Sequence, residues 1–179
     1  MLPRLTDNDF ALFGLPERQA LERSQLDARR RALQAEVHPD RFAAEGAAAQ
    51  RLAMQWAMRI NEAHVRLKDP LKRAAALCAL RGVPIDAERN TAMPATFLAR
   101  QMQWREALDE AGEAADAIGA IRALDADVAR DEQAGLERLQ TLLDDTGDAN
   151  AAAAEVRALM FVARFREDIA RRLEALDAH

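Results

Sequence analysis

Apolar side chains recur every three or four residues along most of the chain, which is the spacing of one face of an α-helix. The clearest stretch is 47–68, where Leu52, Trp56, Ile60, Ala63 and Leu67 are four, four, three and four residues apart. Proline and glycine interrupt the pattern and mark the points where one helix ends. The pattern predicts helices over 9–13, 17–36, 47–68, 71–80, 95–111, 116–143 and 149–176.

The composition supports a chain built only of helices. Alanine, the best helix former, accounts for 41 of the 179 residues, whereas Val, Ile and Thr together account for 16 and Tyr is absent. Strands favour β-branched and aromatic residues, so a sheet protein is excluded. The predicted fold class is all-α.

A proline-containing break divides the helices into two groups. Before it, two antiparallel helices joined by a loop pack with short helices in a domain predicted over 1–82. The break itself, from Val83 to Met93, is predicted to be a linker. After it, three amphipathic helices with short connections predict an antiparallel three-helix bundle over 94–179.

Charge and cysteine content exclude several classes of protein. Residues 1–81 carry a net charge of +4 and the remainder −9, so the acidic whole argues against nucleic-acid binding. The one cysteine, Cys78, permits no internal disulfide; burial as a small apolar residue is favoured over a reactive thiol. With no apolar stretch of membrane-spanning length and no leader sequence, we expect a cytoplasmic protein with no membrane partner.

The predicted helix 95–111 has more apolar residues than a bundle core needs. Phe97, Trp104 and Leu108 share one side, which serves as the core face. Leu98 and Met102 lie on the other side, together with Glu106 and Glu110. Scattered exposed apolar residues are ordinary, but a small apolar patch bordered by carboxylates is also typical of a modest partner-binding site.

The tripeptide His38-Pro39-Asp40 is the most specific local motif, and it lies in the predicted loop between the helices 17–36 and 47–68. Proline stiffens the loop, so the imidazole and the carboxylate are held away from the core. A His/Asp acid–base pair is a poor interpretation, because no nucleophile or oxyanion donor lies nearby in the sequence. A solvated turn is the plain alternative.

The context of this tripeptide resembles the J domain, the module that docks on DnaK-type chaperones and stimulates their ATPase. Three segments narrow the resemblance to the HscB family of iron–sulfur co-chaperones. They are the opening Phe10–Pro16, the stretch Asp69–Ala74 with Leu77 and Leu80 after it, and Thr96–Leu98 followed by Arg105–Glu110. The resemblance covers nearly the whole chain. The cysteine pairs of the zinc-binding eukaryotic relatives are absent, which indicates the bacterial type.

The resemblance implies two partners and no catalysis, cofactor or metal in this chain. A DnaK-type chaperone (HscA type) would contact His38, Pro39 and Asp40 with the flanking Arg31 and Arg41. An IscU-type iron–sulfur scaffold would bind through five residues of the second domain. These are Leu98, Met102, Glu106, Glu110 and Phe161, the last of which is also compatible with a purely core role.

Three positions depart from the family pattern. Arg30, His64 and Ala76 stand where relatives commonly have aromatic residues. The stem of Arg30 can cover the rim of the core while its charge stays in water, and His64 is interpreted as a core-edge residue rather than a metal ligand. Contacts by Arg29 and Arg30 with the chaperone are less well supported than those by Arg31 and Arg41.

Three other interpretations compete with an HscB-type co-chaperone. The closest is a general J-domain protein whose bundle binds another client or forms dimers. The second is a hydrolase or metal protein that uses His38, Asp40 and His64. The third is a helical scaffold without J-domain function, in which the tripeptide is only a turn.

Overall fold

The computed structural model of the chain describes residues 3–37, 46–87 and 93–178. In these ranges it contains α-helices and one π-helical turn but no strand, so the all-α prediction is confirmed. The chain divides into two compact units, Met1–Leu77 and Cys78–His179. The predicted domain limits at 82 and 93 stay a prediction. The helices are α1 (Asp9–Phe13), α2 (Arg23–Glu36), α3 (Ala47–Lys68), α4 (Pro70–Leu80), α5 (Ala95–Glu113), α6 (Ala117–Gln140) and α7 (Ala149–Asp177), with the π-helical turn at Thr141–Thr146.

The first unit is built on a hairpin of α2 and α3. Arg30 of α2 contacts Asn61 of α3, whereas Asp27, nearly one turn earlier, contacts His64, nearly one turn later, so the two helices are antiparallel. The short α1 packs against both helices. The side chains that fill the core of this unit are Phe10, Leu12, Phe13, Leu15, Leu26, Ala53, Ile60, Ala63, Leu67, Ala74 and Leu77.

A buried carboxylate joins α1 to α3. Asp9 accepts hydrogen bonds from Arg59 at 2.8 Å and from Arg66 at 2.6 Å. Burial by itself raises the pKa of Asp9, but hydrogen bonds and charges from Arg66 and Arg59 outweigh it and hold the pKa below its ordinary value. The ionised form of Asp9 is therefore the one that stabilises the first unit.

This pairing predicts a stability that depends on pH. Because the folded pKa is depressed, the contribution of Asp9 is complete above its ordinary pKa of 3.8 and is lost as the pH falls through the lower folded value. Asp9→Asn should lower the free energy of unfolding at neutral pH by about 1–3 kcal/mol. Urea denaturation at a series of pH values measures the free energy of unfolding of wild type and variant. Asp7→Asn, on the same segment, should have little effect; equal losses from both variants contradict the account.

The structure corrects two details of the sequence prediction in this unit. Helix α2 begins at Arg23 rather than at Glu17. The reason is Gln19, which is buried in a non-helical segment, donates from its side-chain amide to the carbonyl of Pro70, and accepts from Arg73. Leu52 was predicted to lie on the buried face of α3, and the structure leaves it exposed.

The second unit contains a three-helix bundle. Phe97 contacts Phe161, and Trp104 further along α5 contacts Phe165 further along α7, so α5 and α7 run in the same direction. Helix α6 returns between them through short connections at both ends. The core of the bundle consists of Trp104, Leu108, Ala111, Ile121, Leu124, Val128, Val162, Phe165 and Ile169.

Two helix ends differ from the prediction. Helix α5 was expected to stop at Gly112 but continues to Glu113, because glycine inside a helix only weakens it. Helix α6 was expected to run to Leu143 but ends at Gln140 and passes into the π-helical turn. Gly147 follows with a φ of 72°, a left-handed conformation that suits glycine, and ends the turn.

A glycine in α6 permits close packing against α7. A Cβ atom added to Gly135 would lie 2.7 Å from Cδ2 of the buried Leu159 and 3.0 Å from a carboxylate oxygen of the buried Glu155. A Cβ atom added to Gly112 would instead meet the guanidinium of Arg172, the end of a flexible, exposed side chain whose pair with Asp109 lies at the surface.

These surroundings predict opposite effects for the same substitution. Gly135→Ala should lower the free energy of unfolding by about 1–3 kcal/mol, because the packed neighbours must shift. Gly112→Ala should leave it unchanged or raise it by up to about 1 kcal/mol through helix propensity. Urea denaturation followed by circular dichroism measures both. Equal stabilisation by the two variants would refute close packing at Gly135.

Candidate partner-binding sites

The outer side of α5 carries the largest apolar side chains exposed on the bundle. Leu98 is 47% exposed and Met102 is 66% exposed. Glu106 and Glu110, one and two turns after Met102, are also exposed. We call these four residues, with Phe161 of α7, the α5 face. Since Trp104 and Leu108 already bury the opposite side of the helix, the core does not require an apolar residue at Leu98 or Met102.

Phe161 belongs to both the core and the surface. Its ring meets that of Phe97 edge-on at 5.8 Å and lies nearly parallel to that of Phe165 at 6.2 Å. The residue is nevertheless only partly buried, and it lines a surface groove of about 480 Å³ between α5 and α7. The aromatic packing therefore fixes the ring in place while part of it stays accessible to a partner.

An arginine that the sequence analysis did not select lies beside this ring. The guanidinium carbon of Arg105 is 5.6 Å from the centroid of the Phe161 ring, within the range of a cation–π contact. Arg105 is seven residues after Leu98, which places it about 20° from Leu98 around the helix axis. The helical wheel could have selected Arg105, but only the structure shows that Phe161 lies next to it.

The predicted chaperone-binding residues fall largely outside the described part of the chain. His38, Pro39, Asp40 and Arg41 all lie in the segment 38–45, which the structure does not describe. Arg31 lies on α2 and is exposed. The proposed contact of the motif with a chaperone therefore stays a prediction.

Polar contacts hold together the hairpin that leads into this segment. Asn61 of α3 accepts hydrogen bonds from Arg30 at 3.2 Å and from Gln34 at 3.1 Å. Arg30 thus bridges the two helices through a hydrogen bond, a contact that the sequence did not reveal. The hydrogen bonds fix the C-terminal half of α2 against α3.

His64 has a structural partner. Its Nε2 lies 2.7 Å from a carboxylate oxygen of Asp27, and the imidazole is buried against α2. The hydrogen bond with His64 is the main reason that the pKa of Asp27 is lowered. This agrees with the prediction of a core-edge residue.

The residues that the structure describes give little support to metal binding or to thiol chemistry. In the described ranges no cluster of His, Cys, Asp and Glu could hold a metal ion. Cys78 is fully buried as predicted, and burial raises the pKa of its thiol. Over the same ranges no helix is long and apolar enough to cross a membrane.

Comparisons with known proteins agree on one family. The model of the HscB C-terminal oligomerisation domain matches residues 93–170. The co-chaperone protein HscB homologue of Burkholderia multivorans is 51% identical over 173 residues, which cover 97% of this chain and 98% of the relative. The homologue of Paraburkholderia phymatum is 49% identical with the same coverage.

Solved structures give the same fold. Chaperone HscB from Vibrio cholerae superposes with a TM-score of 0.80 at 36% identity and covers 95% of this chain and 99% of its own. Human co-chaperone HscB, at 22% identity, shares the fold with a TM-score of 0.82 over 94% of this chain and 83% of its own.

A J domain followed by a C-terminal helical domain defines a co-chaperone, a protein that acts with a chaperone and is not itself an enzyme. The chain belongs to the HscB co-chaperone family. The resemblance stated from the sequence motifs is therefore confirmed, and the hydrolase and the helical scaffold without J-domain function are set aside.

Proposed function

We propose that this co-chaperone binds an IscU-type iron–sulfur scaffold through the α5 face and presents it to an HscA-type chaperone. The observation that carries the proposal is the exposure of Leu98 and Met102 beside the fixed ring of Phe161. A small apolar centre with charged residues around it has the composition of a specific protein interface.

The chaperone side of the proposal rests on the hairpin. Helices α2 and α3 are locked by Asn61 and flank the segment that contains His38, Pro39 and Asp40. Arg31, seven residues before the motif, and Arg41, directly after it, add positive charge. An acidic surface on the chaperone would be attracted by these arginines, mainly through the rate and orientation of encounter.

The two sites together would couple client delivery to ATP hydrolysis. The chaperone hydrolyses ATP, and this chain supplies only a coupling free energy between two binding events. The iron–sulfur cluster is cargo on the scaffold rather than a cofactor of this chain. We place this activity in the cytoplasm, which suits a family member whose single thiol is buried.

Isothermal titration of the purified scaffold into the full chain tests the client. We expect saturable binding with one scaffold per chain. A general DnaK substrate peptide, titrated as the control, should give no heat. Absence of scaffold binding would favour a general J-domain co-chaperone with another client.

Self-association of the bundle is the second candidate, because the matching family model is described as an oligomerisation domain. The same exposed Leu98 and Met102 would then meet a second copy of the chain. Sedimentation velocity over a wide range of concentrations distinguishes the two. A dimer that scaffold binding dissociates would mean that both interactions use the α5 face.

A further inference from the structure

The groove beside the α5 face contains arginines without carboxylate partners. Arg105 and Arg164 both line it, one on α5 and one on α7. Neither forms an ion pair with any residue that the structure describes. By contrast, six other arginines of the bundle form ion pairs with carboxylates. They are Arg100, Arg130, Arg138, Arg166, Arg171 and Arg172.

The acidic residues of the groove are already engaged. Asp109 accepts a hydrogen bond from Arg172 at 3.2 Å, and Asp168 pairs with Arg171 on its own helix. Neither forms an ion pair with Arg105 or Arg164. The groove therefore presents two exposed guanidinium groups that have no carboxylate partner among the described residues.

Arg105 and the two glutamates lie on opposite sides of the apolar pair on α5. Around the axis of α5, Arg105 lies about 20° to one side of Leu98, whereas Glu106 and Glu110 lie about 80° and 120° to the other side. The apolar pair of Leu98 and Met102 lies between Arg105 and these two glutamates, and Asp109, which pairs with Arg172, lies about 20° from Leu98. A partner that covers this pair meets Arg105 at the edge near Phe161, and Glu106 and Glu110 at the opposite edge.

We propose that Arg105 and Arg164 form a carboxylate-binding subsite that binds an acidic side chain of the scaffold. This inference rests on the proposed function, because the acidic side chain belongs to the same scaffold protein. The contact between Arg105 and the Phe161 ring restricts the guanidinium, and a planar group held in this way is suited to a bidentate pair with a carboxylate. The subsite would fix the orientation in which the scaffold docks.

Titration of the purified scaffold into single variants of the full chain tests this subsite. Arg105→Gln should weaken binding about tenfold at low ionic strength, and less at physiological ionic strength because salt screens the pair. Arg105→Lys should recover only part of the affinity, since a lysine cannot pair in a bidentate manner. Arg164→Gln should also weaken binding. Arg122→Gln, an exposed arginine on α6, is the matched control and should bind like wild type.

A purely structural role for Arg105 gives different results. If it only covers Phe161, Arg105→Met should bind like wild type and keep the same salt dependence. That outcome, or wild-type affinity in both Gln variants, overturns the subsite while leaving the α5 face intact. Failure of the wild-type chain to bind the scaffold would instead overturn the proposed function, so the two failures are distinguishable.

Discussion

Replacement of His38 by Gln should abolish stimulation of the chaperone's ATPase while folding and scaffold affinity remain as in wild type. The motif lies between α2 and α3, which pack through Leu26, Ile60 and the Asn61 hydrogen bonds. An imidazole offers a donor and an acceptor on one short rigid ring, which a glutamine on a longer, flexible stem does not reproduce. Single-turnover ATP hydrolysis measures the effect.

His64→Gln is the matched control for this variant. His64 is buried and bonded to Asp27, so the same change should lower the thermal stability of the first unit. Stimulation at a temperature where the variant is folded should be retained. Equal stimulation by wild type and by the His38 variant would show that the tripeptide is only a turn.

The double variant Leu98→Ala with Met102→Ala should reduce scaffold affinity by about a hundredfold or more. Each side chain is largely exposed in the free chain, so burying it against a partner gains about 1–2 kcal/mol, and truncation removes that gain. Folding should be unaffected because neither residue belongs to the core of the bundle. Isothermal titration calorimetry with the purified scaffold gives the affinity.

The chain provides a matched control on another helix. Met54 and Met58 of α3 are 59% and 63% exposed, which is close to the exposure of Leu98 and Met102. Met54→Ala with Met58→Ala should leave scaffold affinity unchanged. Similar losses in both double variants would indicate nonspecific apolar association, and wild-type binding by the Leu98 and Met102 variant would place the client elsewhere.

The limits of a helix were predicted well from the sequence where residues next to its ends determine them. The limits of α3 agree with the prediction because glycine precedes the helix and Asp69-Pro70 ends it. The start of α2 was wrong because Gln19 is held by α4, a contact between residues far apart in the sequence. Helical periodicity cannot report such a contact, since it describes one helix at a time.

The candidate site was also predicted only in part, because helical periodicity describes one helix at a time. The helical wheel placed Leu98 and Met102 outside, and the structure leaves both exposed. It could not show that Phe161 meets Phe97 edge-on, or that Arg105 lies over the Phe161 ring, because both facts depend on how α5 and α7 pack. The partner contacts of these residues stay predictions until they are measured.

Single-turnover ATP hydrolysis by an HscA-type chaperone tests the central claim most directly. The reaction is run with this chain alone, with this chain and the scaffold together, and with the His38→Gln variant in place of wild type. We predict that chain and scaffold together stimulate hydrolysis more than the sum of their separate effects, and that the variant removes this synergy. Stimulation that is indifferent to the scaffold, or no stimulation at all, would contradict the account.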